Sequence, residues 1–246
     1  MTDALFLAPD AARIGEARPG DVVTVTGEEA RHAVVVRRVR PGENVYLSDG
    51  RGHGIHGEVV GTDREALAVR VGDVLTAPVS PVRFTVVQAL AKGERSDVAV
   101  EALTELGVHR IVAWQASRAV VRWEAKSDKG LLKWRATVRE AAKQSRRLRV
   151  PEVEYASTRQ VVELVRAADL AVVLHEGAGG WLSDLRFPSE GTVLFVVGPE
   201  GGISDDELAA FGAAGARTAL VSDAVLRTST AGPVALAQAQ ALIGRP

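Results

Sequence analysis

Two rhythms of apolar residues divide the chain. As far as about residue 73 they come as short β-branched runs at 22–26, 44–48, 55–60 and 67–71, separated by Pro19-Gly20, Pro41-Gly42, Asp49-Gly50 and Thr62-Asp63. Such spacing predicts a compact β-barrel, with one helix at 28–39 set between the first two strands. Pro78 and Pro81 flank a linker, and beyond it the period lengthens. Strands are predicted at 83–90, 110–114, 170–174, 193–197 and 219–221. Helices are predicted at 96–106, 128–147 and 158–168, then one after Ser204 and an Ala-rich one ending near 243. Alternation of this kind is the mark of an α/β domain built on a sheet, so the chain reads as a barrel at 1–76 followed by an α/β domain at 80–246. Punctuation supports the helices. Gly107 ends the first of the second domain, and Ser127 is placed to cap the next. Thr228 or Ser229 is placed to cap the last, with Pro233 in or near its first turn.

Composition narrows the function classes. Of 246 residues, 46% are hydrophobic and only 4% aromatic, so a sizeable core must be built from Val, Leu and Ala. The absence of cysteine excludes disulfides, thiol catalysis and Cys-ligated zinc. No run approaches membrane-spanning length and the start lacks a basic leader, which reads as a soluble, cytoplasmic protein. His53 and His56 do not form a metal pair, because three residues apart in a strand they face opposite ways and no Cys or carboxylate completes a site.

Charge is unevenly placed. The formal net charge is −1, yet residues 126–149 hold nine Lys or Arg against two Asp or Glu. On the predicted helix, the spacing of Leu131, Leu132, Arg135, Val138 and Ala142 gives an apolar stripe, and Lys133, Arg139, Lys143, Arg146 and Arg147 supply charge elsewhere. That excess exceeds what a solvated face needs and points to a polyanion surface. Arg37, Arg38 and Arg40 cluster at the end of the first predicted helix, where the helix dipole favours cations as readily as RNA does.

The densest chemistry lies at 192–208, a strand followed by Gly198-Pro199-Glu200-Gly201-Gly202 and a helix start. Ser204 and Glu207 have capping-box spacing, with Asp205 and Asp206 in the first turn. The turn is neither G-x-G-x-x-G nor a P-loop, and its acids disfavour a phosphate. It suits a ligand that is neutral or cationic at this loop, the bland reading being an ordinary strand-to-helix turn. His175-Glu176-Gly177 closes its strand as Gly198 closes the next, which places both loops at one sheet edge. A single histidine at a strand end is structural by default.

Gly198 to Ser204 with Glu207, and Leu226-Arg227-Thr228-x-Thr230-Ala231 downstream, resemble the RsmE family of bacterial 16S ribosomal RNA methyltransferases. Lys92-Gly93-Glu94-Arg95 through Glu101 and Thr104 to Val108 resemble the family's first helix. Glu140-Ala141-Ala142-x-Gln144-Ser145-x-Arg147 resembles its basic helix. The resemblance implies a PUA-like barrel that helps hold RNA and a SPOUT domain with a deep trefoil knot. It also implies a homodimer that transfers a methyl group from S-adenosyl-L-methionine (SAM) to N3 of a uridine in the small ribosomal subunit. The implied cofactor residues are His175, Glu176, Gly177, Val197, Gly198, Pro199, Glu200, Gly201, Gly202, Leu220, Val225, Leu226, Thr228 and Ala231. Arg227 is the first candidate for stabilising the uridine anion, and His175 or Glu200 are geometric possibilities for a base. The implied RNA contacts are Arg37, Arg38, Arg40, Lys92, Arg95, Arg118, Arg122, Lys143, Arg146 and Arg147. Ser229 stands where the family pattern has Glu, and residues 221–225 depart from its Leu-Gly-x-Arg-Ile. A catalytically weak RNA-binding or ribosome-assembly protein, or an α/β enzyme for another nucleotide, are therefore the rival expectations.

Overall fold

A computed structural model describes residues 3–8, 14–123 and 127–244. It divides into two compact units, one of residues 1–79 with 139–150, the other of 80–138 with 151–246.

The first unit is a curled five-stranded sheet in the order β1-β3-β4-β5-β2. Its strands are β1 (Leu5–Leu7), β2 (Val22–Thr26), β3 (Asn44–Ser48), β4 (His53–Asp63) and β5 (Ala66–Thr76). In β2 the period of two is clean, Val23 and Val25 being buried between exposed neighbours. The β4–β5 register shifts between His56 and Gly57 and again between Val59 and Gly61. A Cβ on Gly57 would lie 2.0 Å from the Arg70 carbonyl oxygen, so only glycine permits this bulge, and bulges bend a sheet over its core. That core gathers Phe6, Val25, Leu47, Ile55, Val59 and Leu67. Both long strands outrun their sequence signals, and Thr62-Asp63, expected to turn, still belong to β4. The three-residue β1 was not anticipated.

The helix expected at 28–39 is shorter. α1 (Glu28–Arg31) widens into a π turn over His32–Val36, and Arg38 takes φ 55°. Residues 139–150 belong to this unit through the final turns of α3 (Ser127–Gln144) and the segment beyond it. There Ser48 Oγ donates to the Leu148 carbonyl at 2.8 Å, and the Val150 amide donates to Gly50 at 2.9 Å. α3 was expected to reach 147. It stops at Gln144 because Arg146 turns left-handed, and it begins at Ser127, which is therefore a helical residue and not its cap.

The second unit is a six-stranded sheet in the order β11-β9-β10-β6-β7-β8, parallel throughout. Its strands are β6 (Val82–Ala89), β7 (Arg110–Trp114), β8 (Glu152–Ala156), β9 (Leu170–Leu174), β10 (Gly191–Val197) and β11 (Arg217–Ala219). Beside α3, its helices are α2 (Arg95–Glu105), α4 (Thr158–Ala167), α5 (Asp205–Ala213) and α6 (Thr228–Leu242). The central strands β6 and β10 are almost wholly buried, as unbroken apolar runs require. Phe84 stacks on Phe195 between them, and Trp114 meets Phe211 edge to face. β8 was missed, because an edge strand reading Glu-Val-Glu-Tyr-Ala carries little apolar signal. β11 ends two residues earlier than expected. Pro233 is the sixth residue of α6, just past its first turn.

Candidate functional site

Strand order reverses beside β6 and β10, and the loops leaving the carboxyl ends of β6, β9, β10 and β11 converge there. They line a cavity of about 300 Å³. Its wall comprises Arg95 after β6, Leu174, His175 and Glu176 at the end of β9, and Val197, Gly198, Pro199, Glu200, Gly202 and Ile203 after β10. Val225, Leu226, Arg227, Thr228 and Ala231 complete it after β11. A second cavity of about 140 Å³ shares Leu174, His175, Glu176, Val225, Leu226 and Ala231, so the two form one cleft that continues along 219–224. Val225 is 80% exposed and makes an open lip.

The glycine turn is held from both sides. Ser204 and Glu207 form the expected capping box at the start of α5. Glu207 is only 5% exposed, and its carboxylate also accepts from the Ser117 amide at 2.8 Å, Ser117 Oγ at 2.9 Å and Thr158 Oγ1 at 3.1 Å. Burial pushes its pKa up, but the donors from Ser117 and Ser204 prevail and hold it below the ordinary carboxylate value. One carboxylate thus ties the loop after β7 and the start of α4 to the turn.

On the other side Thr228 Oγ1 donates to the Gly198 carbonyl at 2.6 Å and accepts from Gln88 Nε2 at 3.2 Å. Gln88 is fully buried, its Nε2 also reaches the Thr228 carbonyl at 3.1 Å, and its Oε1 has no partner. The N-cap of α6 is Arg227, and it makes no side-chain cap bond. The capping role expected of Thr228 or Ser229 is therefore absent: Thr228 is the first helical residue, and its hydroxyl is spent on the turn. At Gly232 an added Cβ would lie 3.3 Å from Val197 and 3.4 Å from Gln88 Oε1, so glycine lets α6 close on the sheet.

Charges in the cleft are distributed in pairs and singly. Glu200 accepts from Arg95 Nη1 at 2.9 Å and from the Lys92 amide at 3.3 Å. Burial raises its pKa, but backbone amides and the Arg95 guanidinium outweigh this and hold the carboxyl below its usual range. Glu200 is thus a poor proton acceptor at neutral pH. The Gly177 amide donates to His175 Nδ1 at 3.0 Å. In the neutral ring that leaves the proton on Nε2, so His175 offers a donor rather than a base. Among the described residues, the Arg227 guanidinium has no hydrogen-bond or ion-pair partner, while its backbone carbonyl accepts from the Thr230 and Ala231 amides.

Eleven of the fourteen residues expected at the cofactor line the larger cavity, and Arg227 joins them. Leu220 lines the smaller one. Gly177 and Gly201 stand back: the first supplies the amide to His175, and an added Cβ on the second would lie 3.0 Å from the Arg118 carbonyl oxygen. Leu174 and Ile203 were missed, though their places beside His175 and the glycine turn were available signals. Arg95, expected at RNA, lines this cavity. Lys143, also expected at RNA, is 8% exposed and bonded to Glu29 at 3.1 Å and Glu140 at 2.8 Å, which removes it from the surface. Arg118 reaches the Ile203 carbonyl at 3.4 Å and Arg122 the Ser117 carbonyl at 3.4 Å, so both brace loops. Arg37 and Arg146 line one cavity of the first unit, while Arg38, Arg40 and Arg147 do not. Among the described residues no group of three or more His, Cys, Asp or Glu is placed to hold a metal. His53 bonds Asp49 and His56 bonds Asp3 instead. Among the described residues no helix is long and apolar enough to cross a membrane.

A parallel sheet with a strand-end cleft, preceded by a small curled sheet, defines a two-part protein with a small-molecule site at the carboxyl ends of its parallel strands. Family models agree, the RNA methyltransferase domain matching residues 78–240 and the RNA methyltransferase PUA domain matching 25–72. The ribosomal RNA small subunit methyltransferase E of Mycobacterium bovis is 48% identical over 234 residues, covering 92% of this chain and 88% of its own. Two solved structures, each covering 98% of both chains, are similar throughout. One is that enzyme from Neisseria gonorrhoeae bound to S-adenosyl methionine (27% identity, TM-score 0.85), and the other a methyltransferase from Legionella pneumophila with bound SAM (28%, 0.84). The chain belongs to the RsmE family of ribosomal RNA small subunit methyltransferases.

Proposed function

We propose that this chain transfers a methyl group from SAM to N3 of a uridine in the 16S RNA of the small ribosomal subunit, acting as a cytoplasmic homodimer whose second unit carries the family's knot. The carrying observation is the cleft after β6, β9, β10 and β11, whose walls suit a charged, partly apolar ligand. The glycine turn and the aliphatic side chains of Leu174, Val197 and Leu226 line it together with two acids, Glu176 and Glu200, and two cations, Arg95 and Arg227, so apolar and charged parts of both signs on one ligand find partners there. SAM, when bound, supplies the electrophilic methyl carbon.

The protein's share is to position and to exclude water. Glu200, fixed by Arg95, keeps the turn's carboxylate ionised beside the ligand, and the Thr228 hydroxyl fixes the Gly198 carbonyl. Arg227, unpartnered on the wall, is placed to balance the anion left when uridine N3 loses its proton. Neither His175 nor Glu200 serves as base, so that proton passes to solvent at the open lip of the cleft beside Val225. His175→Asn tests this, because an Asn carbonyl can accept from the Gly177 amide as Nδ1 does. We expect kcat within about threefold of the parent, whereas loss of a general base costs about 10²–10⁴-fold.

The unpartnered Arg227, with Ser229 where the family pattern has Glu, favours one second reading, an RNA-binding protein with weak catalysis. Mass spectrometry of ribosomal RNA nucleosides from cells with and without the protein decides between the two. Loss of N3-methyluridine from small-subunit RNA in the deleted strain is expected. Unchanged modification, with RNA binding retained, selects the second reading.

A further inference from the structure

Two arginines of the first unit occupy backbone positions that disfavour any side chain. Among the described residues Arg38 and Arg146 are the sole non-glycine residues with positive φ, both at 55°. Each closes a helical segment. The Arg147 amide returns to the Ala142 carbonyl at 2.8 Å around Arg146, and the Val39 amide returns to Ala33 at 3.1 Å around Arg38. This left-handed closing position normally belongs to glycine, because a Cβ there crowds the backbone. An arginine kept in that place costs stability that glycine would not.

The cavity next to these closures, about 290 Å³, is lined by Arg37 and Arg146 together with His32, Asp3, Glu140 and Lys143. Its acids are already engaged. Asp3 accepts from His56 Nε2 at 2.8 Å, and Glu140 from Lys143 Nζ at 2.8 Å, with Lys143 held also by Glu29 at 3.1 Å. Arg37 and Arg146 are exposed and have no acid or hydrogen-bond partner for their guanidiniums among the described residues. Arg146 lies over the Tyr46 ring, 5.6 Å from its centroid, which limits the directions its fork can take.

We infer that Arg37 and Arg146 form a phosphodiester subsite for the RNA strand in the first unit, and that Arg146 is kept in a left-handed conformation for this purpose. Guanidinium forks match phosphate oxygens in pairs, and two partnerless forks on one polar cavity fit one backbone phosphate or two successive ones. The inference rests on the reading of the chain as acting on RNA.

Arg146→Gly separates a functional role from a structural one, because the two predict opposite signs. Glycine relieves the backbone, so Tm holds or rises by up to about 3 °C. Affinity for a labelled single-stranded RNA corresponding to small-subunit sequence falls roughly three- to tenfold, and the slope of log K against log salt loses about 0.7. Arg37→Gln, at an ordinary backbone conformation, gives the same loss with Tm unchanged. SAM affinity, by calorimetry, stays at the parent value in both. RNA affinity and salt slope equal to the parent in both variants overturn the subsite. An arginine-dependent response to inorganic phosphate with none to RNA also overturns it, in favour of a free anion. Failure of the parent protein to bind SAM, with the arginine-dependent RNA loss intact, overturns the proposed methyl transfer and leaves the subsite standing.

Discussion

Glu207→Ala is expected to lower stability by about 3 kcal/mol and Tm by about 10 °C, the larger of the two main structural effects. The buried carboxylate takes hydrogen bonds from Ser117, Thr158 and Ser204, which belong to three segments packed on one core that holds Trp114, Val161 and Phe211. Alanine leaves the Ser117 and Ser204 amides to find water or go without. The pH dependence follows from the sign of the shift. The folded-state pKa is below the ordinary 4.5, so the stabilisation is complete above that value and is lost as pH falls through the depressed one. Thermal melts of parent and Glu207→Gln between pH 3 and 7 should therefore converge toward the acid end. A constant gap across the series would assign the effect to packing rather than to the ionised carboxylate.

Thr228→Val is expected to weaken SAM binding about 10- to 30-fold at nearly unchanged side-chain volume. The lost hydroxyl ends the 2.6 Å bond to the Gly198 carbonyl and the acceptor for Gln88 Nε2, so the turn and the first residue of α6 are no longer fixed to each other. Loss of these two hydrogen bonds also costs stability by about 1–3 kcal/mol, of the same order as the ~1.4–2 kcal/mol that the affinity loss represents. Thr228→Ser keeps the hydroxyl and should restore most of the affinity. Calorimetry showing parent-like binding by the valine variant would remove this network from the site.

How well the chain could be read depended on the range of the forces involved. The turn at 198–202 and its capping box were legible because Ser204 and Glu207 are three residues apart and the glycines carry their own backbone permission. Arg227, Thr228 and the glycine turn were placed at one site by resemblance, and the converging strand ends gave that placement its physical reason. Lys143 was misread for the opposite reason. Glu140, three residues before it, was a local sign of pairing, but the lysine's second partner Glu29 lies 114 residues away, and nothing local to a basic helix announces that one or the burial. Thr228 followed the rule for a helix cap until a carbonyl 30 residues upstream claimed its hydroxyl.

By itself, the sequence determined most of the strands and helices, though not β1 or β8, and where the chain changes from short alternating runs to α/β rhythm. Apolar period and turn chemistry act within a few residues, and so survive without the fold. Only the tertiary structure decided which polar groups are spent. Burial brought Glu207, Gln88 and Lys143 to distant partners, and the left-handed turn at Arg146, which a sequence rule reserves for glycine, became visible only with the backbone in place. A charge's availability is set by what surrounds it in space, and that is fixed by packing between segments far apart in the chain.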